Sequence, residues 1–173
     1  MKHRLMLLAG TGVLLGAFVW AGSGQAALPG AEACVIKGSA TISPGLKVVP
    51  KAGSVSISGN LSGCHGSNLK ITKGTVTATA TGTGSCAGSE DSLNGTITWL
   101  NSSGVALGTS TVAGSLVSVG PVANFAGTVT SGLFPGSPVT TTAEFQPKGG
   151  ATKATACNSS TGLTSVTFEG ATT

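Results

Sequence analysis

The sequence predicts an all-β fold, an antiparallel β-sandwich of Ig-like or jelly-roll-like type with about eight strands, preceded by a signal-peptide helix. Three observations carry this. Apolar and polar residues alternate with period two along several stretches, as in strands with one buried face. Gly, Pro and Asn punctuate the chain between those stretches, with 28 Gly and 7 Pro in 173 residues. Beyond the N-terminal segment, no stretch has both the period and the length of a helix.

The clearest strand is 93–100, Leu-Asn-Gly-Thr-Ile-Thr-Trp-Leu. Asn94-Gly95 reads as a turn dipeptide. Ile97 and Trp99 then share one face, with Thr96, Thr98 and Leu100 on the other. Trp99 is the one Trp outside the N-terminal apolar run, and the chain has no Tyr. A single large ring among small residues is the expected centre of a core.

The other elements follow in order. Residues 34–43 form a first strand that ends at Pro44-Gly45. Residues 53–61 form a second, with Val55, Ile57 and Leu61 on one face. The stretch 69–83 is long and Thr-rich, and its β-branched side chains suit a pleated surface. Residues 82–92 read as a Gly/Ser-rich loop. After the Trp99 strand, 105–119 changes its apolar parity near Thr111-Val112, which predicts a bulge or two short strands. Phe125, Val129 and Leu133 share a face in the next segment. Pro135-Gly136-Ser137-Pro138 is a turn, and 139–145 alternates again up to Phe145. Residues 148–161 read as a small-residue loop. The last strand is 163–168, with Val166 and Phe168 on one face. The expected core is therefore Ile97, Trp99, Phe125, Val129, Phe145, Val166 and Phe168.

The N-terminus reads as an export signal. Met1 to Arg4 is basic, 5–20 is apolar and uncharged, and 21–26 is a run of small and polar residues ending in Ala26. Cleavage is expected after Ala26, giving a signal peptide at 1–26 and a single domain at 27–173. The apolar run is shorter than the roughly 20 residues a spanning helix needs. Contact with the membrane is therefore expected only through the signal peptide before cleavage. Beyond it remain seven lysines, no arginine and five acidic residues, a net charge of +2. The lysines are scattered, which excludes a nucleic-acid surface. Cys34, Cys64, Cys86 and Cys157 all lie in the exported part, an even number that reads as two disulfides. If the strands flanking Cys34 and Cys64 are antiparallel neighbours, those two cysteines lie at one end of the sheet, and Cys86 is left for Cys157.

Few residues in the sequence point to chemistry. His65 is the one histidine beyond the signal and reads as an exposed turn residue. Glu90-Asp91 is the one acidic pair and reads as part of a solvated loop; adjacent carboxylates do not make the separated pair of a glycosidase. Gly82-Thr83-Gly84 has no following helix to bind phosphate. No catalytic, cofactor-binding or metal-ligating residue is expected, and no cofactor. A bilayer-spanning barrel needs two aromatic girdles, and the five aromatic residues beyond the signal are too few.

Several pieces have a shared order: Ala40-Thr41-Ile42-Ser43-Pro44-Gly45-Leu46; 59–64; Gly95-Thr96-Ile97-Thr98-Trp99; Gly127-Thr128-Val129-Thr130-Ser131-Gly132-Leu133-Phe134; and 163–170. Together they resemble the small secreted Gly/Thr-rich β-proteins of actinomycete bacteria. The resemblance implies a secreted β-sandwich and brings no activity or site residues. The expectation is a secreted or extracytoplasmic structural or adhesive cell-envelope protein without catalytic activity, whose partners are cell-wall components or other envelope proteins. The alternative is a carbohydrate- or small-ligand-binding module, which exposed aromatic residues would favour.

Overall fold

A computed structural model describes residues 32–173. The expected signal peptide and its cleavage point lie outside the described residues. Among the described residues, eight strands follow one another: β1 (Glu32–Leu46), β2 (Lys51–Gly66), β3 (Lys73–Gly84), β4 (Gly88–Leu100), β5 (Ala106–Val119), β6 (Val122–Gly132), β7 (Pro138–Pro147) and β8 (Leu163–Thr172). One short helix, α1 (Lys153–Asn158), sits in the β7–β8 connection.

Each strand pairs antiparallel with the next, and β8 pairs back onto β1, so the sheet is a closed barrel. The all-β class and the eight antiparallel strands agree with the sequence reading. The two-layer sandwich is corrected to a single closed sheet. Alternation specifies one buried face per strand, and a sandwich and a barrel satisfy it equally. Two features distinguish them here. Every strand pairs with its chain neighbours, which leaves β1 and β8 as the only edges to join. Inward glycines also let the sheet coil tightly. Gly38 lies in register with both Gly59 and Phe168, and a Cβ on Gly38 would come within 2.6 Å of Phe168 Cζ. The ring lies where two side chains are missing, the small–large alternation of narrow barrels.

Three local expectations are also revised. Asn94-Gly95 is not a turn but lies inside β4, where Gly95 faces Ala78 across the β3 pairing. The predicted 82–92 loop shrinks to 85–87, because β3 runs on to Gly84 and β4 begins at Gly88. The 148–161 loop contains α1, whose first turn is capped by Thr152 Oγ1 accepting from Thr155 N at 3.1 Å. The parity change at Thr111-Val112 coincides with a register shift against β6 at that step.

The two ends of the barrel are filled differently. At one end Trp99 and Phe134 meet edge to face, 5.9 Å between centroids. Trp99 Nε1 donates to Ser110 Oγ at 2.8 Å, and Ser110 Oγ donates onward to the Leu133 carbonyl at 2.6 Å. Leu61 and Ile71 are fully buried in the same cluster. The Cys34–Cys64 disulfide closes this end. At the other end Cys157 and Ala156 of α1 pack with Leu46, Phe145 and Leu163. The Cys86–Cys157 disulfide ties α1 to the β3–β4 connection. Two disulfides are compatible with an oxidising, extracytoplasmic compartment.

Candidate functional site

The inward faces of the strands meet around a cavity of about 160 Å³. Its wall is almost wholly aliphatic and aromatic, with Ile36, Val55, Ile57, Leu93, Ile97, Val112, Phe125 and Phe168 among its members. The reason is local. β3 alternates Val76, Ala78 and Ala80 inward with exposed Thr75, Thr77, Thr79 and Thr81 outward. The small inward residues of β3, together with Ala123 and Ala143, leave space that larger residues elsewhere do not fill. The cavity begins beneath Trp99 and Phe134, neither of which lines it, with Leu61 of the same cluster on its wall, and extends to Leu46 and Phe145 near α1.

Lys153 of α1 reaches across that second end. Its Nζ donates to the Gly120 carbonyl at 2.6 Å and lies 5.0 Å from the centroid of the Phe145 ring. Desolvation by this partial burial lowers its pKa.

Polar groups are few on the wall, and one of them is a carboxyl group. Ser89 and Ser118 lie in register on β4 and β5, and their hydroxyls bond to each other at 3.0 Å. Ser118 Oγ also accepts from Ser89 N at 3.1 Å. Asp91, two residues further along β4, is 6% exposed. Its Oδ2 is buried and has no hydrogen-bond partner among the described residues. Gly82 stands beside it in the β3–β4 register. A Cβ on Gly82 would meet the Glu90 carbonyl oxygen first and come within 2.5 Å of Asp91 Oδ1, so the glycine is required by the close backbone and also leaves space beside the carboxyl group. Among the described residues, no Lys, Arg or His lines the cavity. The other buried carboxyl group, Glu32, lies outside the cavity wall, where its Oε1 accepts from Asn68 N at 2.8 Å and Ser67 Oγ at 3.2 Å while its Oε2 is buried without a partner among the described residues.

Of the residues singled out from sequence, Ile97, Trp99, Phe125, Val129 and Val166 are buried, while Phe145 and Phe168 are half-buried and line the cavity. His65 is exposed as expected, but it lies in β2, paired with Ala33, rather than in a turn, with Nδ1 3.1 Å from the Gly63 carbonyl. Glu90 is exposed on the outside of the barrel, as a solvated residue should be. Asp91 is the residue that the sequence reading misplaced. It is not in a loop but inside β4, facing the interior. The signal was present: positions 91, 93, 97 and 99 share one parity, so the alternation of Leu93, Ile97 and Trp99 extends back to Asp91. Reading Asn94-Gly95 as a turn cut that alternation short. Among the described residues, no group of three or more His, Cys, Asp or Glu is placed to hold a metal ion.

Comparison with protein-family models, with curated proteins and with solved structures finds no match for this chain.

Proposed function

We propose that the protein is a binding barrel that holds a small, mainly apolar molecule in its interior and performs no catalysis. The observation that carries this reading is the apolar cavity of about 160 Å³ inside a closed, disulfide-tied barrel. An apolar cavity of roughly 150 Å³ stays dry and takes up a benzene-sized molecule. Concave apolar sites with few polar groups are the usual form of a small-molecule site, and barrel interiors are a common place for them. The outward faces carry Thr and Ser, while a bilayer-spanning barrel turns its apolar residues outward. The polarity therefore favours a barrel that faces water and keeps its apolar surface for the interior.

Of the two roles expected from sequence, this develops the small-ligand alternative. The carbohydrate form of that alternative draws no support from the aromatic residues, because Trp99 and Phe125 are buried and Phe134, Phe145 and Phe168 are half-buried. The structural or adhesive envelope role is supported by the polar Thr/Ser exterior and the two disulfides, and it is the second reading. Both readings share export: the two disulfides and the N-terminal pattern support a secreted or cell-wall-associated protein.

Isothermal titration of the disulfide-bonded protein with toluene tests the binding role. Saturable one-to-one binding is expected, with a rise in thermal midpoint as ligand occupies the native state alone. Ala78→Phe, which places a ring in the cavity, should abolish it while leaving the protein folded. Absence of toluene binding would leave the structural role as the better reading.

A further inference from the structure

We propose that the molecule held in the cavity carries a cationic amine, and that Asp91 is the group that recognises it. This deepens the binding reading and rests on it. A carboxylate withdrawn from water is costly unless hydrogen bonds or a counter-charge compensate it. Asp91 is 6% exposed, and its Oδ2 has no partner among the described residues.

Its neighbours do not supply one. The Ser89 and Ser118 hydroxyls, the nearest polar pair along the same two strands, are bonded to each other. No basic side chain lines the cavity among the described residues. Gly82, which the close Glu90 carbonyl also keeps free of a side chain, leaves open the space beside Oδ1.

A ligand with an ammonium group would complete the site. Its N–H donors would meet the carboxylate in a charge-assisted hydrogen bond, and its apolar body would fill the aliphatic remainder of the cavity. A carboxylate-bearing ligand would place like charges together in a low-dielectric interior. A neutral alcohol offers one donor and no compensating charge. A sugar would bury many hydroxyls against a wall with few polar partners.

The test uses four ring-sized probes matched in shape: toluene, benzyl alcohol, benzylamine and benzoate. Each is titrated calorimetrically into the full disulfide-bonded protein and into Asp91→Asn. Benzylamine should bind roughly tenfold or more tightly than benzyl alcohol or toluene, and benzoate should be the weakest. Asp91→Asn should remove the preference for benzylamine while toluene binds as before. If Asp91→Asn does not fold, Asp91→Leu, which leaves no polar group to satisfy, serves in its place. Toluene binding without a preference for benzylamine, or a preference that survives loss of the carboxylate, overturns the role of Asp91 and leaves the cavity reading standing. Benzyl alcohol binding as tightly as benzylamine overturns the requirement for a cation. Failure of all four probes, toluene included, removes the binding reading and this inference together.

Discussion

Replacing Trp99 by Ala should destabilise the barrel by about 3–5 kcal/mol, the range for truncating a buried large aromatic residue. The structure shows where that energy resides. The indole is 5% exposed, packs edge to face with Phe134 at 5.9 Å and donates to Ser110 Oγ at 2.8 Å. The aromatic pair contributes roughly 0.5–1.5 kcal/mol beyond burial. Truncation leaves no donor orphaned, because Ser110 Oγ still donates to the Leu133 carbonyl. The cost of Trp99→Ala is therefore mainly lost packing.

Ser110→Ala separates the polar part. It removes one oxygen from a fully buried side chain, yet it strips both the indole N–H and the Leu133 carbonyl of this partner. Each buried group left unsatisfied costs about 1–3 kcal/mol, so for two such groups Ser110→Ala should cost about 2–6 kcal/mol. Urea unfolding with the disulfides intact, followed by far-ultraviolet circular dichroism, measures both as shifts in midpoint at constant slope. Total stabilities are about 5–15 kcal/mol, so either loss is a large fraction of the whole. In the unmodified protein, Trp99 emission should be blue-shifted and resist acrylamide quenching. A cost under about 1 kcal/mol for both variants, far below the range for buried groups, would refute the packing and the relay; red-shifted, readily quenched emission would refute the burial.

Other perturbations probe the closure of the barrel. Replacing Cys86 and Cys157 by Ser removes a crosslink between residues 71 apart, and chain entropy puts its contribution at about 4 kcal/mol; denaturant titration of the double variant should recover most of that loss. Gly38→Val should destabilise by about 1–3 kcal/mol or more, because its side chain meets the Ser58 carbonyl oxygen and the Phe168 ring inside the barrel, and the thermal midpoint should fall accordingly. His65→Ala should change neither stability nor any turnover in ester, glycoside and peptide screens, since the ring is exposed near the end of β2 and lies only against the Gly63 carbonyl; turnover abolished by the substitution would contradict a non-catalytic role.

Much of the strand content was legible because each strand obeys a local rule. Thr75 to Thr81 face water and Val76 to Ala80 face inward as a consequence of period two alone. Trp99 and Ile97 stand out as core residues by the same parity. Local rules failed where a residue pair has two uses. Asn-Gly is a strong turn signal, but at 94–95 the glycine is needed inside a strand because a Cβ there would come within 2.7 Å of Ala78 Cβ. That one ambiguity also hid Asp91, whose chemistry is apparent only once β4 is continued back to Gly88. Helix α1 was illegible for a different reason: at six residues it has no amphipathic period to detect, and its stability comes from the Thr152 cap and the Cys157 tether.

The sequence by itself determined that the chain is all-β, which residues alternate across each strand, and that four cysteines are available for two bridges. These properties depend on side-chain type and near neighbours. The tertiary structure decided that β8 meets β1, that the inward faces enclose a cavity rather than pack sheet on sheet, and that Asp91 lies inside it beside Gly82. Those outcomes depend on residues far apart in the chain, such as Phe168 settling over Gly38 and Gly59, and period-two alternation does not encode which distant strands will share an edge.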